Sequence, residues 1–304
     1  MADTAPQVAL RESAARKLSN TTKTPVQIPA VSPRWLTALL PWKPLEAGVL
    51  RVNRVKNESP IEVVCGLDDD NVAPGTFIDY AEDPREYTLN SITTIVRVNT
   101  HIADLFSSPH DQIREQLRVT IELVKERQES ELLNNFDYGL MNQVAPEQRI
   151  TTRKGPPTPD DLDELITKVW KEPAFFVAHP RGIAAFGREC TRRGVPPATV
   201  TLFGSQFLTW RGLPIIPSNK VAIEGDKSSF LLLRVGENKQ GVVGLFQPGL
   251  SGEQSPGLSV RFMGIDNNAV ASYLVALYCS AAVLTPDAVA VLDGVTLGNY
   301  HEYK

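Results

Sequence analysis

The chain is 304 residues long, with 31 Lys and Arg against 35 Asp and Glu and a formal charge of −4; at about 150 residues per domain it holds two domains or one elaborate one. That near-balance lacks the positive field that displaces counterions from phosphates, which argues against general DNA or RNA packaging. Charged residues at 22% and hydrophobic ones at 42% exclude wholesale disorder. Cys65, Cys190 and Cys279 are separated and odd in number, which fits a reducing cytoplasm and no disulfide framework. Residues 1–10 contain Asp3 and no apolar run, so no secretory leader is expected.

Residues 1–44 form a distinct region. Val8–Leu18 has the spacing of a short amphipathic helix, and prolines come after it at 25, 29, 33, 41 and 44. Proline fixes φ, deletes a donor and pushes its predecessor into extended conformations. The segment is therefore expected to be neither helix nor central strand. Yet Val26, Ile28, Val31, Trp35 and Leu36 are too apolar for a solvated linker, so this arm must bury its side chains. Its own domain and a neighbouring subunit are equally good covers on composition.

From Gly48 to Leu105, β-branched segments separated by Asn, Pro, Gly and Asp predict an extended, polar-tipped hairpin. Next comes a long helix. Ser108-Pro109 and Asp111 supply a cap, a proline at the first helical position and an acidic third residue. Ile113, Leu117, Ile121, Val124 and Leu132 trace one stripe, interrupted by Gln128. Arg118–Glu122, Lys125–Glu129 and Arg127–Glu131 stand as i,i+4 surface pairs. About 30 residues make a strut of roughly 45 Å.

Arg153–Pro159 reads as a linker, after which Asp160 or Asp161 caps a helix over DLDELITKVWKE. A strand, AFFVAH, and a helix from Pro180 to Arg193, stopped by Gly194, come next. Strands are expected at SSFLLLRVG, GVVGLF, LSVRFMGI and AVAVLDGV. Between the last two, Ala269–Leu284 reads AVASYLVALYCSAAVL and predicts a buried helix. Its 16 residues fall short of the ~20 that cross hydrocarbon, so no membrane partner is expected.

Catalytic patterns are missing. No phosphate loop, dinucleotide fingerprint or nucleophile elbow occurs. The acidic run Leu67–Gly75 has Val72 where a calcium loop needs Asp or Asn. The histidines at 101, 110, 179 and 301 have no partner at metal-ligand spacing. Cys190 lies among Arg188, Arg192 and Arg193, which would lower a thiol pKa, but Pro196 stands where a phosphatase loop needs Arg. The chain is thus not expected to be an enzyme; an enzyme of unknown class remains as a distant alternative. An apolar arm, an extended hairpin and a strut instead describe an assembly unit, because large obligate interfaces are apolar.

The order of these elements resembles the HK97-type capsid fold of tailed-phage capsids and encapsulins, an α+β fold of N-arm, E-loop, spine helix, P-domain and A-domain. Ser108–Gln143 is similar to the spine helix, and Ala174–Pro180 with Gly212–Val221 to the A-domain core. Gly257–Val295 resembles the closing segment of family 2 encapsulin shell proteins. No extra β-rich block of ~100 residues fits between the elements, so the insertion-free type A is implied. The resemblance implies an arm over 1–44, an E-loop region over 45–107, a P-domain over 108–158 and 250–304, and an A-domain over 159–249. It implies an icosahedral homo-oligomer enclosing a cysteine desulfurase for sulfur storage. Pyridoxal phosphate would belong to that cargo and no cofactor to the shell. A phage major capsid protein is the alternative, disfavoured by the absence of a basic tract. In a shell, Val26, Ile28, Val31, Trp35 and Leu36 are expected to tie subunits together. Arg192, Arg193, Pro196 and Pro197 are expected near a symmetry axis, helping to line a pore.

Overall fold

The computed structural model describes residues 31–53, 55–56, 65, 75, 79–99 and 112–300. The expected helix at Val8–Leu18, the arm residues Val26 and Ile28, the acidic run at 67–74 and the start signal at Ser108-Pro109 lie outside them.

Two sheets share one long helix. The chain opens with α1 (Trp35–Leu39), β1 (Trp42–Pro44) and the antiparallel pair β2 (Val49–Val52) and β3 (Arg85–Thr88). β4 (Asn90–Asn99) and α2 (Gln112–Asn134) come after them, then β5 (Arg149–Thr151), α3 (Pro159–Lys168), β6 (Phe175–Ala178) and α4 (Pro180–Arg192). The strands β7 (Ala198–Leu202), β8 (Ser205–Trp210), β9 (Leu213–Pro217), β10 (Lys227–Leu233) and β11 (Val242–Phe246) come next. The chain closes with β12 (Glu253–Ser255), β13 (Leu258–Ile265), β14 (Val270–Val283) and β15 (Val289–Thr296).

The first sheet runs β1-β11-β14-β13-β12, and β4 pairs with Val270–Cys279 on the edge of β14 that β11 takes from Cys279 to Val283. The second runs β5-β15-β10-β6-β9-β8-β7. Its alternate residues enter two cores, as the period of a strand requires. Phe176, Phe230, Leu232, Ala290 and Leu292 meet Leu162, Leu165, Val169 and Phe186 of the α3–α4 layer. Val177, Leu231, Leu233, Val289 and Val291 meet Leu36, Leu40, Leu132 and Leu133.

α2 is the strut. Its 23 residues span about 35 Å, and its expected stripe holds: Ile113, Leu117, Ile121 and Val124 cover Val96, Val98, Leu258, Val275 and Leu277 of the first sheet. Leu132 then carries the helix end into the core of the second. The helix stops before the expected Gln143 because the chain folds back, with the amides of Leu140 and Met141 donating to the carbonyls of Leu132 and Leu133. Gly139 permits this, since a Cβ there would collide with the backbone of Asn135.

Four expectations change. Ala269–Leu284 is not a helix: Val270–Val283 is a 14-residue strand, the centre of the first sheet. Its outer face near the C-terminal end is covered by Leu45, Tyr87 and Leu50, and its inner face by α2 and the second core. Burial on both faces erases the alternation that marks a strand, and a continuous apolar run mimics a buried helix. Trp35–Leu39 is a helical turn, because Pro33 and Pro41 bracket a proline-free window long enough for one. The α3 cap is Thr158, whose side chain accepts from the Asp161 amide while Asp161 accepts back from Thr158; Pro159 at the first position shifts both aspartates inside the helix. The segments expected as separate A- and P-domains exchange strands: β11, from within 159–249, pairs with β14, and β15, from within 250–304, pairs with β10.

Candidate assembly surfaces

The arm residues divide. Leu36 and Leu40 are almost completely buried in the core of their own chain. The Trp35 ring meets Phe207 edge-on at 5.3 Å and stacks on Phe203 at 6.0 Å. Leu36 is therefore spent on its own subunit's core and has no surface left for the inter-subunit tie expected of it, while Trp35 packs at home with part of its ring still exposed. Val31 is half-buried at the start of the described chain.

This arm root is held to α2 by three carboxylates, two of which, Glu122 and Glu129, the sequence presents in surface pairs. Glu122, Glu126 and Glu129 share one helix face by their i, i+4, i+7 spacing. Arg34 Nη1 donates to Glu122 Oε2 at 2.6 Å. The amide and hydroxyl of Ser32 donate to the two oxygens of Glu126, each at 2.9 Å, and Lys220 Nζ stands 2.7 Å from Glu126 Oε2. Thr37 and Ser218 donate to Glu129. Of the three expected pairs only Arg127–Glu131 forms; Arg118 pairs with Glu115. The signal was present as acidic residues repeating on one face, but their partners, near in space, lie about 90 residues away in sequence.

The turn at Arg192, Arg193, Pro196 and Pro197 is brought together and exposed, apart from half-buried Pro197. Both guanidinium groups are engaged within the chain. Arg192 Nη1 lies 3.3 Å from Glu189 and its Nη2 donates to the Asn299 carbonyl at 3.1 Å; Arg193 lies 3.1 Å from Glu189 and 3.3 Å from Asp160. Carboxylates therefore offset much of the positive field that the sequence suggests.

Burial, against the opposing charge of Arg193, pushes the Cys190 thiol up to about 11, and burial pushes Cys279 up to about 12. The arginines around Cys190 thus fail to activate it, since the thiolate is the nucleophile. Among the described residues no group of three His, Cys, Asp or Glu could hold a metal ion, and no helix is long and apolar enough to cross a membrane.

Two sheets bridged by a strut, with a separate β2–β3 pair and no metal-ligating cluster among the described residues, describe a building unit. A family model for the type 2A encapsulin shell protein SrpI-like matches residues 48–299. The chain belongs to this family. The type 2A encapsulin shell protein SrpI of Synechococcus elongatus is 64% identical over 304 residues, covering all of this chain and 99% of that one. The cryo-electron microscopy structure of the holo-SrpI encapsulin complex from the same organism superposes with a TM-score of 0.85 at 62% identity, covering 97% of this chain and 99% of that one. The capsid of a native GTA particle has a TM-score of 0.62 at 12% identity over 94% of this chain and 98% of its own, which shows the capsid fold alone. As an encapsulin shell protein with the HK97-type α+β fold, the chain is a structural component of a nanocompartment and not an enzyme.

Proposed function

We propose that this encapsulin shell protein closes on itself into an icosahedral, cytoplasmic compartment around a cysteine desulfurase and serves sulfur storage. The full-length likeness to a holo-SrpI encapsulin complex carries the shell reading; the resemblance to insertion-free family 2 shells supports the desulfurase. Pyridoxal phosphate belongs to the cargo in this account. Exposed apolar side chains at the far end of the first sheet, Ile95, Phe262, Met263 and Ile265, suit burial between copies, as patches of this kind mark interaction sites. Expressed alone, the protein should give uniform closed particles by negative-stain microscopy and light scattering; a sharp monomer or dimer peak at physiological salt overturns the shell reading. Co-expressed with candidate enzymes, the shell should co-purify a cysteine desulfurase, and sulfur release from cysteine should track the cargo and not the empty shell. Recovery of a different enzyme class would replace the cargo assignment.

The turn carrying Arg192, Arg193, Pro196 and Pro197 is placed at a pore in the same reading. Arg193→Glu sets a third carboxylate beside Glu189 and Asp160, reversing the local charge. Repeated by symmetry, that ring should slow the entry of small anions into assembled shells while particle yield stays constant. Unchanged entry kinetics would remove this turn from the pore.

A further inference from the structure

We infer that residues 31–34 form a releasable strap, clasped to the spine helix by the ionised carboxylates of Glu122 and Glu126 and freed when that charge is removed. The inference deepens the shell reading and rests on it only for its consequence, which is how firmly each copy holds the root of its arm. Three observations carry it. Ser32, Arg34 and Thr37 are tied to α2 through spine side-chain carboxylates and, once, through the Glu122 carbonyl: Ser32 bonds Glu126, Arg34 bonds Glu122, and Thr37 bonds Glu129. Arg34 sits at φ 50°, ψ 49°, a left-handed conformation unfavourable for a residue with a Cβ. Its own guanidinium, 2.6 Å from Glu122 and 3.7 Å from Glu126, holds the chain in that bend. Finally, among the described residues the fully buried apolar anchors begin at Leu36; Pro33 is exposed and Val31 half-buried. Charge holds the strap, and apolar packing holds the chain from Leu36 onward.

The charged groups facing the clasp are Arg34 from the arm root, Glu122, Lys125, Glu126 and Glu129 from α2, and Lys220 from the turn after β9. Arg34 and Lys220 keep their charge in acid, so neutralising the carboxylates leaves two cations facing no counter-charge. Burial alone would raise Glu126, but Lys220 and Ser32 outweigh it and hold its carboxyl below the ordinary range. Its contribution is therefore present above that range and lost as pH falls through the lowered value. Burial pushes Glu129 the other way, against hydrogen bonds from Thr37 and Ser218. Acid release therefore belongs to Glu126.

The test uses assembled protein and cleavage at the Arg34–Trp35 bond, which the clasp protects. At pH 7.5, shells of the double variant E122Q/E126Q should yield chains beginning at Trp35 under trypsin at least tenfold faster than wild type. E131Q, which removes a spine carboxylate that pairs with Arg127, should match wild type. Equal rates in all three overturn the strap. Should the double variant fail to fold, wild type alone decides: hydrogen exchange over residues 31–34, corrected for intrinsic pH dependence, should speed at least tenfold between pH 7.5 and 3, a range that passes below the ordinary carboxylate value. Peptides from β10 and β15 should keep their protection over the same range, and an unchanged strap there also overturns the proposal. Light scattering on the same samples reports whether particles exist, so a failed shell and a failed strap give different results.

Discussion

Leu36→Ala should lower subunit stability by about 2–5 kcal/mol. Leu36 is fully buried among Leu40, Leu132, Leu133, Val177, Leu231 and Val289. Truncation there removes its transfer energy and leaves a cavity bounded by strands that cannot collapse without breaking their ladders. Leu39, on the same helical turn, is only partly buried, and Leu39→Ala should cost clearly less. Denaturant midpoints of the three proteins, measured on dissociated subunits, check the ranking. A Leu36→Ala stability within about 0.5 kcal/mol of wild type, the ordinary range for surface changes, would show that the arm root is not part of the core. Deleting residues 1–30 tests the outer arm: if it ties subunits, shells of the shortened chain should form in lower yield or dissociate at lower denaturant.

Asp287→Asn should be similarly damaging, at about 3–5 kcal/mol, the cost of leaving a buried charge without its partner. Arg234 is among the most deeply buried side chains, with 1% exposure. Its guanidinium donates to Asp287 Oδ1 at 2.8 Å and Oδ2 at 3.2 Å, and to Thr285 Oγ1 at 2.7 Å. Asp287 is less enclosed and keeps a second cation, Lys171, at 2.9 Å. Arg234→Met, of similar bulk, should therefore cost less than Asp287→Asn, because the carboxylate left behind is still paired and partly solvated. Hydrogen bonds from Arg234, against burial and with help from Lys171, hold the Asp287 carboxyl well below the usual carboxylate range. That stability is present above the ordinary value near 3.9 and lost as pH falls through the depressed one. Wild type should thus lose stability on the acid side faster than Asp287→Asn does. Equal midpoints for both single variants at pH 7 would contradict the asymmetry.

Most of the fold was legible because its elements carry local signals. The α2 stripe, the β13 strand at LSVRFMGI and the helix bounded by Pro180 and Gly194 each fit inside a window that periodicity and capping can read. The order of these elements carries the capsid resemblance, and the segment Gly257–Val295 carries the likeness to family 2 shell proteins. The features that stayed hidden depend on which surfaces meet. Val270–Val283 shows no alternation because its two faces are covered by segments far away in sequence, Leu45–Leu50 and Tyr87 on one side and α2 on the other. Glu126 and Glu129 look like solvated residues until Ser32, Thr37 and Lys220 arrive from distant parts of the chain. The arginines beside Cys190 gave the opposite error: nearness in sequence suggested activation, and burial of the thiol decides otherwise.

The strand exchange has a mechanical consequence. The chain passes from the second sheet to the first between β10 and β11, and returns between β14 and β15. Arg234, at the outward crossing, is bolted to Thr285 and Asp287 at the return. A load that pulls the two sheets apart therefore falls on these two crossings together with the α2 link from β4 to β5, and the two crossings each continue into interior strands whose hydrogen bonds must shear together. Hinging between the sheets is suppressed. Copies at different positions on a curved wall therefore meet their neighbours as rigid two-sheet blocks.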